Sequence, residues 1–252
     1  MHNIHMADVS EEFVNCWNAA GLHIQNQAQG DLQSWLRANL NPPFLEHLSF
    51  RLGNQLFFIQ IEDVDNILEI PGSRKGLLTI ANGCNGHACL MPMKKIYGNW
   101  TCVAPGWGLV SVDTGININP VDLISEELIE MTDWELQDFA VQVVKQRLKD
   151  DGRNNISWQG NPEVDPSIWF DGANGPEWVI VRAFRHGLIK PSKPNNWNDI
   201  KSYLNKNGST GNYAEVVCAS PDDVFDPTGD NAAKLYRGHS LRFRYNGLEK
   251  HK

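Results

Sequence analysis

The segment from Thr132 to Arg182 constrains the fold more than any other part of the chain, because it sets a capped amphipathic helix and two apolar strand-like runs in direct succession. Thr132-Asp133-Trp134-Glu135 has the pattern of a capping box, in which the threonine hydroxyl accepts from the N3 amide and the glutamate reaches back to the cap amide. Asp133 and Glu135 also place negative charge at the positive end of the helix dipole. Leu136, Ala140, Val143, Val144 and Leu148 then recur at helical spacing and leave Gln137, Lys145 and Lys149 on the other side. Gly152 ends the helix. Ile156-Ser157-Trp158 follows, then a break at Asn161-Pro162 and a run from Val164 to Phe170, read as a strand carrying Asp165. Asp171-Gly172-Ala173-Asn174-Gly175 turns the chain into Trp178-Val179-Ile180-Val181-Arg182, whose apolar continuity predicts a strand covered on both faces.

Upstream, Ser10 followed by Glu11 and Glu12 predicts a helix to about Asn26, and a second is expected from Asp31 to Leu40, ahead of Asn41-Pro42-Pro43. Leu48 to Leu52 and Gln55 to Ile61 flank Gly53-Asn54, a tight-hairpin signal in which Phe50, Leu52, Phe57 and Ile59 are the expected core face. Glycines from Gly83 to Gly108 punctuate short apolar stretches, as in a meander. Ile116-Asn117-Ile118-Asn119-Pro120 reads as a linker, with a short helix expected over Val121 to Glu130. The domains are therefore expected at 1–115, an α+β unit of helices with a hairpin and meander, and at 116–252. After Arg182 the chain crosses a proline-rich stretch, then reads as a helix from about Trp197 to Asn205, a strand from Tyr213 to Ala219 and an alternating strand from Leu241 to Tyr245.

Length and composition set the class. With 252 residues and 41% apolar content the chain can bury a substantial core. It carries no apolar run of transmembrane length and opens without a signal-peptide pattern, and its five cysteines are odd in number and irregularly spaced. A cytoplasmic protein without a membrane partner is the expectation. The net charge of −8 argues against a general nucleic-acid coat protein, since phosphate contacts need Lys and Arg. The charge is uneven, however. Residues 1–177 hold 10 Lys+Arg against 23 Asp+Glu, a balance of −13, and residues 178–252 hold 12 against 7, a balance of +5. The basic portion either contacts phosphate or pairs with acids of its own chain.

The order helix, strand, strand, helix, strand, over about residues 125 to 220, resembles the core of the restriction-endonuclease-like (PD-(D/E)XK) fold. The resemblance implies an acidic residue on the first helix, an Asp on the second strand and a Glu-x-Lys on the third, holding Mg²⁺ and a water near a scissile phosphate. By position these correspond to Glu135, Asp165 and Ile180-Val181-Arg182. Isoleucine offers magnesium no oxygen ligand, and a guanidinium is always protonated. Glu163, two residues before Asp165, would share its strand face and replace the lost carboxylate; Glu177 is a second substitute, pointing to the face opposite Ile180. Asp165 also precedes Pro166, a turn-forming pair, and the capping box by itself accounts for Glu135.

Two readings follow. In the first, the C-terminal half is a catalytically degenerate nuclease fold acting as a binding or interaction module, for example an immunity-type neutraliser of a basic protein, with a protein or nucleic-acid partner and no cofactor. In the alternative it is an active metal-dependent nuclease or phosphodiesterase, in which Asp165 with Glu163 or Glu135 holds Mg²⁺ and Arg182 stabilises the developing charge. Elsewhere, Cys84, His87 and Cys89 amount to half a zinc site, with buried thiols and a turn histidine as the simpler reading. Tyr236-Arg237-Gly238-His239 reads as a polar turn that could present a guanidinium and an amide to an anion. Neither a nucleophile elbow nor a phosphate-binding glycine loop is present.

Overall fold

A computed structural model describes residues 10–28, 47–162, 164–187, 193, 196–204, 209–221 and 234–251. The fold is α+β, in two compact units, Met1–Leu128 and Ile129–Lys252, each built on its own six-stranded sheet. The division falls after Leu128 rather than at the expected 115/116. The segment read as a linker is instead part of the first sheet, where Asn117 and Ile118 pair with Val110 and Leu109.

In the first unit, α1 (Glu11–Gln27) starts where Ser10 accepts a hydrogen bond from the Phe13 amide. Its buried side, with Phe13, Cys16, Trp17, Ala20 and Ile24, packs on a sheet face formed by Phe50, Phe57, Ile59, Cys89 and Met91. β1 (Leu48–Leu52) and β2 (Gln55–Asp63) make the expected hairpin, closed between Leu52 and Gln55 with Gly53 at φ 58°. Between β2 and β3 (His87–Ile96) the chain forms α2 (Arg74–Gly83), capped by Ser73. This crossover makes β2 and β3 parallel neighbours, where sequence reading expected only an antiparallel meander. β4 (Asn99–Cys102), β5 (Leu109–Ser111) and β6 (Asn117–Ile118) complete the sheet. The helix expected over Val121 to Glu130 does not form: one 3-10 turn, Pro120–Leu123, is followed by irregular chain. The physical reason is the buried Asn54, whose Nδ2 donates to Ser125 Oγ and Glu127 O and whose Oδ1 accepts from the Ser125 amide. Those bonds take backbone groups of residues 125–127 out of any helical ladder, and the chain bends at Glu126. The helix expected at Asp31 to Leu40 lies outside the described residues.

The second unit stacks three layers. α3 (Asp133–Asp150) carries the complete capping box, with the Thr132 amide donating to Glu135 Oε2 and the Glu135 amide to Thr132 Oγ1. Its apolar stripe of Ala140, Val141, Val144 and Leu148 covers one face of the sheet, over Ile168, Phe170, Val179, Val181, Ala214 and Val216. The sheet contains β7 (Asn154–Trp158), β8 (Ile168–Gly172), β9 (Gly175–Arg185), β10 (Thr210–Ala219), β11 (Arg242–Tyr245) and β12 (Glu249–His251). Its order is β7, β8, β9, β10, β11, with β12 also on β10. β7, β8 and β9 form antiparallel hairpins, and α4 (Trp197–Leu204) carries the chain across so that β9 and β10 run parallel. Against the other face α4 sets Trp197, Ile200 and Leu204 on Trp178, Ile180 and Tyr213. The central strand is therefore buried on both sides, as its unbroken apolar run predicts.

Asp165 is not in a strand. β8 begins only at Ile168, and Val164 and Asp165 lie in the bend before it. Pro166 has no amide to give a ladder, and the Gln159 side-chain amide donates to the carbonyls of Val164 and Pro166, holding this stretch as a loop.

Candidate functional site

β9 outlasts β8 as a paired neighbour, and the site lies at that end of the sheet. The last β8 partner on β9 is Val179, opposite Ile168, so the strand edge from Ile180 onward must find other partners. On the α3 side Gln137 supplies them: its Nε2 donates to Val181 O at 2.8 Å and its Oε1 accepts from the Ala183 amide at 3.0 Å. Ser167 accepts from the Val181 amide. Alternation then directs Arg182 to the same face as Ile180, the α4 face. There it meets Asp165 in a two-pronged ion pair, with Nη1 donating to Oδ1 at 2.9 Å and Nη2 to Oδ2. The two side chains are 19% and 14% exposed, so the pair is largely withdrawn from water.

The parallel register sets Glu215 of β10 opposite Arg182 and Tyr213 opposite Ile180. Burial pushes the Tyr213 hydroxyl up to about 12, and the neighbouring Glu215 adds to that; Arg182 opposes it, while Glu249 and Asp165 push the same way. Those four charges all act on one buried phenol. β12 sets Glu249 opposite Tyr213, and Lys193 bonds Glu249 at 3.4 Å while lying 5.6 Å from the Tyr213 ring and 5.7 Å from that of Trp197. Sequence reasoning missed Glu215 and Tyr213. A signal existed: Glu215 is the one charged residue in the run Tyr213 to Ala219.

Of the residues read from sequence, Asp165 and Arg182 come together and Glu135 does not join them. Glu135 is buried at the start of α3, where Arg237 Nε and Nη2 each donate to its carboxylate at 2.9 Å. Arg237 is therefore a structural clamp rather than an exposed anion-binding turn. Glu163 lies outside the described residues. Glu177 is nearly buried and accepts from Asn212 Nδ2, on the face away from Ile180. Ile180 is wholly buried in the aromatic layer under α4. Both Asp165 oxygens are engaged by Arg182, Ile180, where the resemblance implies a metal-binding Glu, is a buried hydrocarbon, and Glu135 is committed elsewhere. Among the described residues this donor set does not fit a Mg²⁺ ion, which wants near-octahedral oxygen ligation. Among the described residues no group of three His, Cys, Asp or Glu side chains is placed to hold a metal ion. Cys84 and Cys89 are buried, and His87 bonds Gln55. No described helix is long and apolar enough to cross a membrane.

Residues 134–251, from the first turn of α3 to β12, match the family model of a domain of unknown function, DUF8840. No curated protein and no solved structure matches the chain.

Proposed function

We propose that the second unit is a restriction-endonuclease-like core whose catalytic position has been filled, and that the protein acts as a binding or interaction module. The single observation that carries this reading is Ile180, buried between Trp178 and Tyr213 under α4, where a nuclease would need a solvent-reachable carboxylate. Support comes from the element order, α3, three antiparallel-linked strands, α4 and a parallel β10, with a helix on each face of the sheet. The Asp165–Arg182 pair acts in the same direction, because a guanidinium occupies both oxygens a metal would use. The chain's net charge of −8 suits a cationic protein partner, whose approach it accelerates, as in immunity-type neutralisation of a basic protein. Five free cysteines suit a reducing cytoplasm.

The test is incubation of the full chain with single- and double-stranded DNA and RNA in Mg²⁺ or Mn²⁺. No cleavage above a metal-free control is the expected result. Cleavage that disappears in Asp165→Ala would overturn the reading in favour of a metal-dependent nuclease, and loss on Glu215→Gln as well would identify the relocated carboxylate.

A further inference from the structure

Lys193 sits in a corner that other elements build without it. Tyr213 belongs to β10 and is buried. Trp197 belongs to α4 and meets Tyr213 edge-on, with ring centroids 6.0 Å apart and an interplanar angle of 89°. Trp178, fully buried, backs Trp197 at 5.5 Å and holds that wall in place. Glu249 is brought to the open side by the pairing of β12 with β10. Lys193 itself lies outside every helix and strand, and its ammonium is close to both rings and to the Glu249 carboxylate at once.

Two aromatic faces at right angles with a carboxylate across the opening form a receptor for a compact cation. The ring quadrupoles attract positive charge from two directions, and the carboxylate supplies the counter-charge. The cation the structure places there is an ammonium, a compact charge that donates in three directions. We propose that Trp197, Tyr213 and Glu249 form a binding site for a primary alkylammonium group, which Lys193 fills from within the chain, and that a lysine of a partner protein enters by displacing Lys193. The Lys193–Glu249 ion pair is partly exposed, and the two ring contacts lie near the outer limit of cation–π distance, so each of these three is a weak contact. An incoming lysine presented by a bound partner competes with them on favourable terms. The source of the lysine rests on the reading of this unit as a binding module; the ammonium site does not.

The experiment is calorimetric titration of the full chain and its Lys193→Ala and Lys193→Gln variants with N-acetyl-lysine amide, spermidine and N-acetyl-norleucine amide. Lys193→Ala is expected to bind the lysine amide saturably, at least about tenfold more tightly than the unsubstituted protein does, a gain of about 1.4 kcal/mol. Lys193→Gln, which also removes the charge, should gain in the same direction. Adding Glu249→Gln or Trp197→Leu to Lys193→Ala should remove that gain, and the norleucine amide should not bind. Tighter binding of spermidine than of the lysine amide also supports the ammonium site but assigns the cation to a free polyamine, removing the partner lysine alone. The proposal is overturned by no saturable binding to either folded Lys193 variant, by equal binding of norleucine amide, or by binding insensitive to Glu249 and Trp197. Nuclease activity in the assay above would remove the binding-module reading without touching this site.

Discussion

Arg237 reaches back 102 residues to clamp Glu135, donating from Nε and Nη2 to the two carboxylate oxygens at 2.9 Å each, and both side chains are buried, at 1% and 7% exposure. The same carboxylate closes the α3 capping box, so one side chain ties the helix start to the C-terminal turn. Arg237→Ala leaves a buried carboxylate unpaired and is expected to destabilise the second unit by about 3–5 kcal/mol. A double-mutant cycle by urea denaturation should show Glu135→Ala plus Arg237→Ala costing well below the sum of the single changes. Additive costs would mean the clamp contributes nothing as a pair.

The Asp165–Arg182 pair is somewhat less buried, so Arg182→Ala should cost about 3 kcal/mol, the lower end for a broken buried pair. Arg182→Lys keeps the charge but loses the two-pronged geometry, and its loss should be under half of that. Urea midpoints of the three proteins decide this, and equal midpoints for the two variants would show that geometry, not charge, holds Asp165.

Introducing the letters that the resemblance implies, with Ile180→Glu and Arg182→Lys, should not produce cleavage. The new carboxylate would enter the layer of Trp178, Trp197, Tyr213, Ile200 and Leu204, and burying it there should cost at least about 2 kcal/mol. A folded double variant that cuts DNA in Mg²⁺ would contradict the view that α4 has closed this position.

Burial pushes the thiols of Cys16, Cys89 and Cys218 up to about 12 from an ordinary value of 9.0. Above pH 9 the unfolded chain has therefore lost protons that the folded chain retains, and stability must fall as pH rises through that window. Below it the thiols contribute no pH dependence. Urea midpoints should drop between about pH 8 and about pH 10.5. In the native protein at the lower pH a thiol reagent should modify Cys102 first, since it alone of the five is not fully buried. Rapid native labelling of Cys89 would contradict this packing.

In the first unit Phe57 is buried between stacked Phe50, at 5.0 Å, and His87, at 5.0 Å. Phe57→Ala should cost about 3–5 kcal/mol. Hydrogen exchange should show faster opening of β1, β2 and β3; unchanged protection there would place Phe57 outside the core.

The sequence by itself determined what near neighbours decide. Capping at Ser10 and Thr132, the hairpin at Gly53-Asn54, the apolar stripe of α3 and the two-sided burial of β9 all rest on periodicity or on bonds between residues a few positions apart. The ends of α1, β1 and α3 follow the sequence closely, while β9 runs three residues further at each end and Gln137, expected on the polar side of α3, is buried against the sheet edge. Asp165 and Arg182 are legible as neighbours from the expected order of adjacent strands, although Asp165 proves to lie in the bend before β8.

Tertiary structure decided the rest, because those features depend on which distant segments become neighbours. The α2 and α4 crossovers choose parallel partners; the β9–β10 register brings Glu215 beside Arg182, and the antiparallel docking of β12 on β10 brings Glu249 beside Tyr213. A helix was expected over Val121 to Glu130 and failed because Asn54, far away in sequence, captured its backbone groups. Asp165 left its expected strand because Gln159 bonded the carbonyls around it. Glu135 fitted two roles by sequence, and the burial of Arg237 selected the structural one. Asn54 and Arg237, both distant in sequence, satisfied polar groups that local propensity alone would have assigned differently, and Gln159 did the same within its own loop, since buried polar groups must be paired wherever a partner can be found.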